Sequence, residues 1–147
     1  MSIADRLRED MKSAMRAKEA DRLGLIRMLI AAVKYQEIAM RRELKDSDII
    51  DVLVSEAKKR RESEDVYRKN GRADLADKEA FELTVLSEYL PEALTDEEAT
   101  AIVAEVIAET GAVTKRDMGR VMGNVMGRVK GRYDGSKVKD LVLGLLE

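Results

Sequence analysis

Chemistry needs a nucleophile, a proton carrier or a cation holder, and this chain of 147 residues offers few of them. It has no histidine, so the usual near-neutral acid–base group is missing and a zinc site has no imidazole to build on. It has no cysteine, which excludes disulfides, thiolate catalysis and thiolate metal sites. Nucleophilic catalysis would then fall to Ser–Lys or Thr chemistry, yet the serines (2, 13, 47, 55, 63, 87 and 136) mostly fall at expected helix starts or on polar helix faces. Ser136, beside Lys137 and Lys139, reads best as a helix cap. Glu79 with Glu82, and Glu97 with Glu98, carry the charge for acid–base or magnesium work, but their spacing is that of ordinary helix surface. No Gly-x-x-x-x-Gly-Lys phosphate loop is present. No catalytic residue, metal or cofactor is assigned.

Binding chemistry is better represented. Gly119, Gly123, Gly127, Gly131 and Gly135 recur every fourth residue. The first three interrupt a stretch with apolar residues at 118, 121, 122, 125, 126 and 129, which is helical spacing. Each glycine inside a helix costs about 1 kcal/mol relative to alanine, so three forfeit roughly 3 kcal/mol. Such a loss points to a close approach to the backbone, by a helix of the same chain or by a partner. Beside the glycines lie Lys115, Arg116, Arg120, Asn124 and Arg128, followed by Lys130, Arg132 and Lys137. A bare strip next to guanidinium groups suits a phosphate backbone, with Gly135 and the last helix N-terminus adding amide donors. With no Trp, one Phe and four Tyr, base stacking is not the expected mode; shape and phosphate are.

The elements that must position these residues are all helices. Ile3, Leu7, Met11 and Met15 mark a helix over about 2–17, and Asp21 is the expected cap of a second with Leu25, Ile26, Leu29, Ile30 and Val33 inward. A third is expected from Ser47 or Asp48 to Asn70-Gly71. Its polar run 58–65 is expected to hold the i, i+4 pairs Lys58–Glu62, Arg60–Glu64 and Arg61–Asp65 on a solvated end. A fourth spans about 74–89. Pro91 then forbids continued helix and marks a hinge, and Thr95-Asp-Glu-Glu98 is a capping box. A helix with Ala99, Ile102, Val103, Val106 and Ile107 inward, the glycine helix begun by Thr114-x-x-Asp117, and a last helix capped by Ser136 complete the pattern. The expectation is an all-α chain: a four-helix domain over 1–92 and a small three-helix domain over 93–147.

Charge is laid out unevenly. Residues 1–70 hold 17 Lys/Arg against 14 Asp/Glu, residues 71–110 hold 2 against 11, and residues 111–147 hold 8 against 4. An anionic partner would meet the tail or the N-terminal region. No apolar run approaches a membrane span and the N-terminus lacks a signal-peptide core, so no membrane partner and a cytoplasmic location are expected.

Asp117-Met-Gly-Arg-Val-Met-Gly-Asn-Val-Met126, followed by Lys130-Gly-Arg-Tyr-Asp-Gly-Ser136, resembles the tail domain shared by YqeY-like proteins and the B subunit of the tRNA-dependent Asp/Glu amidotransferase. The likeness continues through Arg61-Glu-Ser63, Tyr67, Gly71–Glu79 and Tyr89-Leu-Pro91, and reaches Arg22–Leu29. It covers essentially the whole chain for YqeY and only the C-terminal part for the amidotransferase subunit. The resemblance implies an all-helical protein with a three-helix tail. In the amidotransferase that tail grips the body of the tRNA while amide chemistry happens elsewhere. The expected function is therefore a non-catalytic module binding tRNA or another structured RNA, accessory to tRNA-dependent amidation, with an amidotransferase or aminoacyl-tRNA synthetase as protein partner. A protein-interaction adaptor docking a partner helix is the alternative. A carbon–nitrogen ligase using glutamine is a weaker one, implied by homology alone.

Overall fold

The computed structural model describes residues 1–146. Among the described residues there are seven α-helices, one 3-10 turn and no strand. The helices are α1 (Ile3–Ala17), α2 (Ala20–Met40), α3 (Asp46–Lys69), α4 (Ala73–Ser87), α5 (Asp96–Thr110), α6 (Met118–Val129) and α7 (Gly135–Leu145). The chain divides into two compact units, Met1–Leu90 and Pro91–Glu147.

In the first unit the Ser2 hydroxyl accepts from the Asp5 amide at 3.1 Å and opens α1, whose Ile3, Leu7 and Ala14 turn inward. α2 begins one residue before the expected cap. Asp21 lies in its first turn, where its charge still faces the positive helix end. Leu25, Ile26, Leu29 and Val33 of α2 are buried against Ile49, Leu53 and Ala57 of α3, and Val85, Leu86 and Tyr89 close the same core. At the start of α3 the Lys45 amide donates to the Asp48 carboxylate at 3.0 Å. Beyond its end, Gly71 takes φ +70, a conformation that glycine adopts without strain.

The polar end of α3 differs from expectation at one residue. Lys58, Lys59 and Arg61 are exposed, but Arg60 is only 5 % exposed. Its guanidinium reaches back to Glu56 at 2.8 Å and across to Glu82 of α4 at 3.0 Å, not forward to Glu64. Glu64 instead pairs with Arg68 at 2.8 Å. The acid-before-base order is the favourable one on a helix, and a burial site supplied by α4 completes the preference.

The second unit is built on valine. Val103, Val106, Val121, Val125, Val129, Val138 and Val142 from α5, α6 and α7 are almost fully buried, with Leu94 and Leu146 at the margin. Stiff β-branched side chains lose little further freedom on packing, so a small core of them stays well ordered. Thr95 caps α5 by accepting from the Glu98 amide at 3.1 Å. Gly111, at φ +69, ends that helix. Residues 92–94 are held to the turn after α6: the Leu94 amide donates to the Arg132 carbonyl at 2.7 Å, and Arg132 Nε donates to the Glu92 carbonyl at 3.0 Å.

Candidate nucleic-acid interface

The backbone around α6 is set by its start. Asp117 accepts from the Val113 and Thr114 amides at 3.0 and 3.3 Å, while Thr114 accepts from the Arg116 amide at 3.3 Å. Those two backbone donors hold the Asp117 carboxyl below the usual carboxylate range, with Arg120 adding to the effect. The reciprocal cap closes a single 3-10 turn, Lys115–Asp117, and the α-helix proper starts at Met118.

With the helix register fixed, four rows of residues run along α6 at four-residue spacing. Val121, Val125 and Val129 form the buried row. Met118 and Met122 are half-buried on one side of it, and Met126 in the same row is 36 % exposed. Gly119, Gly123 and Gly127 form the third row, and all three are exposed. A methyl group added at any of them would meet nothing within 4 Å. From Gly119 to Gly127 the bare strip is about 12 Å long. The fourth row, Arg120, Asn124 and Arg128, is exposed along its far side, and Arg116 in the 3-10 turn before the helix is exposed as well.

The other two glycines serve the fold. Gly131 takes φ +74 in the turn that leaves α6. A Cβ at Gly135 would stand 3.1 Å from the Met126 methyl group, so its close approach comes from a side chain of the same unit, not from an outside molecule. The anion site expected at the start of α7 is also spoken for. Asp134, not Ser136, caps that helix: its carboxylate accepts from the Ser136 amide at 3.0 Å and from the Ser136 hydroxyl at 2.8 Å. A carboxylate of the chain itself already sits where an anion would bind.

The expected cations fall into two groups. Lys115, Arg116 and Lys137 are exposed with no ion pair among the described residues. Arg120 rests on Asp117 at 3.3 Å and Arg128 on Glu105 of α5 at 3.0 Å, both exposed pairs that an incoming phosphate competes with at little cost. Asn124 donates its side-chain amide to the Arg120 carbonyl at 2.9 Å. Arg132 is half-buried and engaged with Glu92, and Lys130 is half-buried with a partner of its own. Pro91, expected as a hinge, is exposed and is the first residue of the second unit. Three residues of this region carry no sign in the sequence of the place they take in the fold. Glu105 and Asp96 meet partners 23 and 37 residues away, a separation that leaves no local signal. Asp96 accepts from the Tyr133 hydroxyl at 2.6 Å, which pushes the phenol up to about 12. Met126, which belongs to the apolar spacing of this helix, is 36 % exposed and borders the open strip.

Several curated proteins are similar to this chain. A mitochondrial protein of Eremothecium gossypii, named altered inheritance of mitochondria protein 41, is 40 % identical over 100 residues, which is 63 % of this chain and 53 % of the relative. Its namesake in Kluyveromyces lactis is 34 % identical over 66 % of this chain and 55 % of its own length. An uncharacterised Schizosaccharomyces pombe protein is 27 % identical over 58 % of this chain and 70 % of its own. The matched region thus spans about half the length of the two mitochondrial relatives. Their names overturn the cytoplasmic location expected above. Freedom from cysteine fits any reducing compartment and does not single one out. The model that describes the YqeY-like protein matches residues 4–146, nearly the full length, and the chain belongs to that family.

Proposed function

We propose that this chain is a helical module that binds tRNA or another structured RNA through the outward face of α6, accessory to tRNA-dependent amidation and working beside an amidotransferase or aminoacyl-tRNA synthetase. The open strip at Gly119, Gly123 and Gly127 carries the reading. It lets a sugar–phosphate backbone come close to the helix while Arg120 supplies charge from the adjacent row and Arg116 from the turn before it. In the second unit the one aromatic ring, Tyr133, is tied to Asp96, which favours recognition by shape and phosphate over base stacking. Membership of the YqeY-like family, and the likeness of residues 117–136 to the amidotransferase tail, support the same ligand.

Titration of the full chain against total tRNA at about 50 and 200 mM salt tests it. Binding should weaken steeply with salt, and Arg116→Ala with Arg120→Ala should lower affinity at least about tenfold, equivalent to roughly 1.4 kcal/mol, with an unchanged melting temperature. Unchanged affinity in that variant would leave the basic row as solvated surface. Met126, 36 % exposed at the edge of the strip, favours a second reading in which a partner helix packs there. That reading expects a protein complex nearly indifferent to salt.

A further inference from the structure

α2 is apolar on both sides. Leu25, Ile26, Leu29 and Val33 are buried in the core of the first unit, yet the opposite face carries Gly24, Met28, Ala31, Tyr35 and Ile38, all exposed. Tyr35 and Ile38 are each 76 % exposed and Met28 is 44 % exposed. A surface helix normally keeps its outer face polar, and one that is apolar outside as well is normally covered. The outer residues fall alternately four and three apart, which is the heptad seam for a second helix. From Gly24 to Ile38 the seam rises about 21 Å, or about four turns. Large Met28 and Tyr35 alternate with small Gly24 and Ala31, and a Cβ at Gly24 would meet nothing within 4 Å, so side chains of an incoming helix have holes to enter.

Charge selects the occupant. Arg27 and Lys34, followed by Arg41 at the helix C-cap, flank the seam at seven-residue spacing. All three are exposed and have no ion pair among the described residues, and Asp21 is the one exposed acid of the helix. The acids across the hollow that Tyr35 shares with α3 are matched within the protein. Asp48 pairs with Arg42 at 2.8 Å, Glu56 with Arg60 at 2.8 Å and Lys59 at 3.4 Å, and Asp51 is engaged too. A second copy of the chain does not answer these cations. Docked antiparallel it would set the basic row against itself, and docked parallel it would set Arg27 and Lys34 against Ala32 and Ala39.

We propose that the outer face of α2 docks an acidic amphipathic helix of a partner protein. The seam takes the apolar face of that helix, and the basic row selects glutamate or aspartate on its flank and disfavours a basic helix. The surface lies wholly in the first unit and shares no residue with the RNA-facing row on α6.

The probe is a fluorescein-labelled helical peptide of about 18 residues with leucine in the heptad seam and glutamate on both flanks, titrated into the full chain and read by anisotropy. It should bind at least about tenfold more tightly than the same peptide with lysine for glutamate, and Arg27→Glu with Lys34→Glu should reverse that order. Lys69→Glu with Lys139→Glu, the same charge change away from α2, should alter affinity less than about twofold. Tyr35→Ser with Ile38→Ser should weaken the glutamate peptide at least about tenfold; should that variant lose its helical signal, the reversal of order decides. Failure of the glutamate peptide to bind, an order that survives the charge reversal, an equal loss in the distant variant, or full affinity in a folded serine variant would each overturn the proposal. So would a dimer of the unaltered chain that the serine variant abolishes, since the seam would then belong to a second copy.

Discussion

Arg60 shows how much a single side chain decides here. Its guanidinium is shared by Glu56 and Glu82, whose side chains are 16 % and 15 % exposed. Arg60→Ala would take the half-buried Glu82 carboxylate's cation away and leave Glu56 with Lys59 alone, at 3.4 Å, and it should cost about 3 kcal/mol, visible as a lower urea midpoint. Around this node the acids titrate differently. Burial alone would raise Glu56, but the hydrogen bond from Arg60 and the charges of Lys59 and Arg60 outweigh it and hold it low. Glu79 goes the other way: burial and then the field of Glu82 push it up, against the opposing pull of Arg60 and Lys78. A carboxyl raised by folding favours the folded state while protonated, and that advantage disappears as pH rises through its folded-state pKa. Glu79→Gln should therefore raise the melting temperature at pH 7 and leave it nearly unchanged near pH 3.5, below the usual value. Arg60 was legible as a charged helix residue, but not as a buried one. Its cross-helix partner stands 22 residues away, and only the packing of α3 on α4 brings them together.

Elements were the most readable level, because each helix has an apolar stripe and a stop written locally. Gly71 ends a helix where expected, Gly111 ends the next-but-one, and Thr95 caps that helix at its start. The last helix was assigned the wrong cap because Asp134 and Ser136 are both capping residue types two positions apart, and only the backbone angles choose between them. For the glycines, spacing announced an unusual helix but could not say which positions are open. Gly123 has ordinary helical geometry and free space, so Gly123→Ala should stabilise the second unit by about 1 kcal/mol in thermal melts. Gly111→Ala should do the reverse by about 1 kcal/mol, since its φ of +69 strains any side chain. A gain at Gly123 means that stability is forgone along the strip, which is what a surface kept bare for a ligand would show.

At the scale of the whole molecule, the tail looked basic when charge was counted along the sequence, with 8 Lys/Arg against 4 Asp/Glu over 111–147. In space α5 brings its acids into the same unit, and Glu105 takes up Arg128. What survives as a cationic surface is narrower than the sequence suggested: Arg120, resting on Asp117, beside the strip, with Arg116, Lys115 and Lys137 exposed elsewhere in the unit. Long-range pairs of this kind are invisible to periodicity, which reports only neighbours on one helix. The central claim is that the exposed glycine row of α6 is where RNA meets this protein, and Gly123→Leu tests it most directly. The substitution keeps every cation and sets a bulky side chain on the strip, at a position whose Cβ would meet nothing within 4 Å. Measured by tRNA titration at about 50 mM salt, affinity should fall at least about tenfold while the melting temperature holds. Undiminished affinity in a folded Gly123→Leu protein would contradict the account.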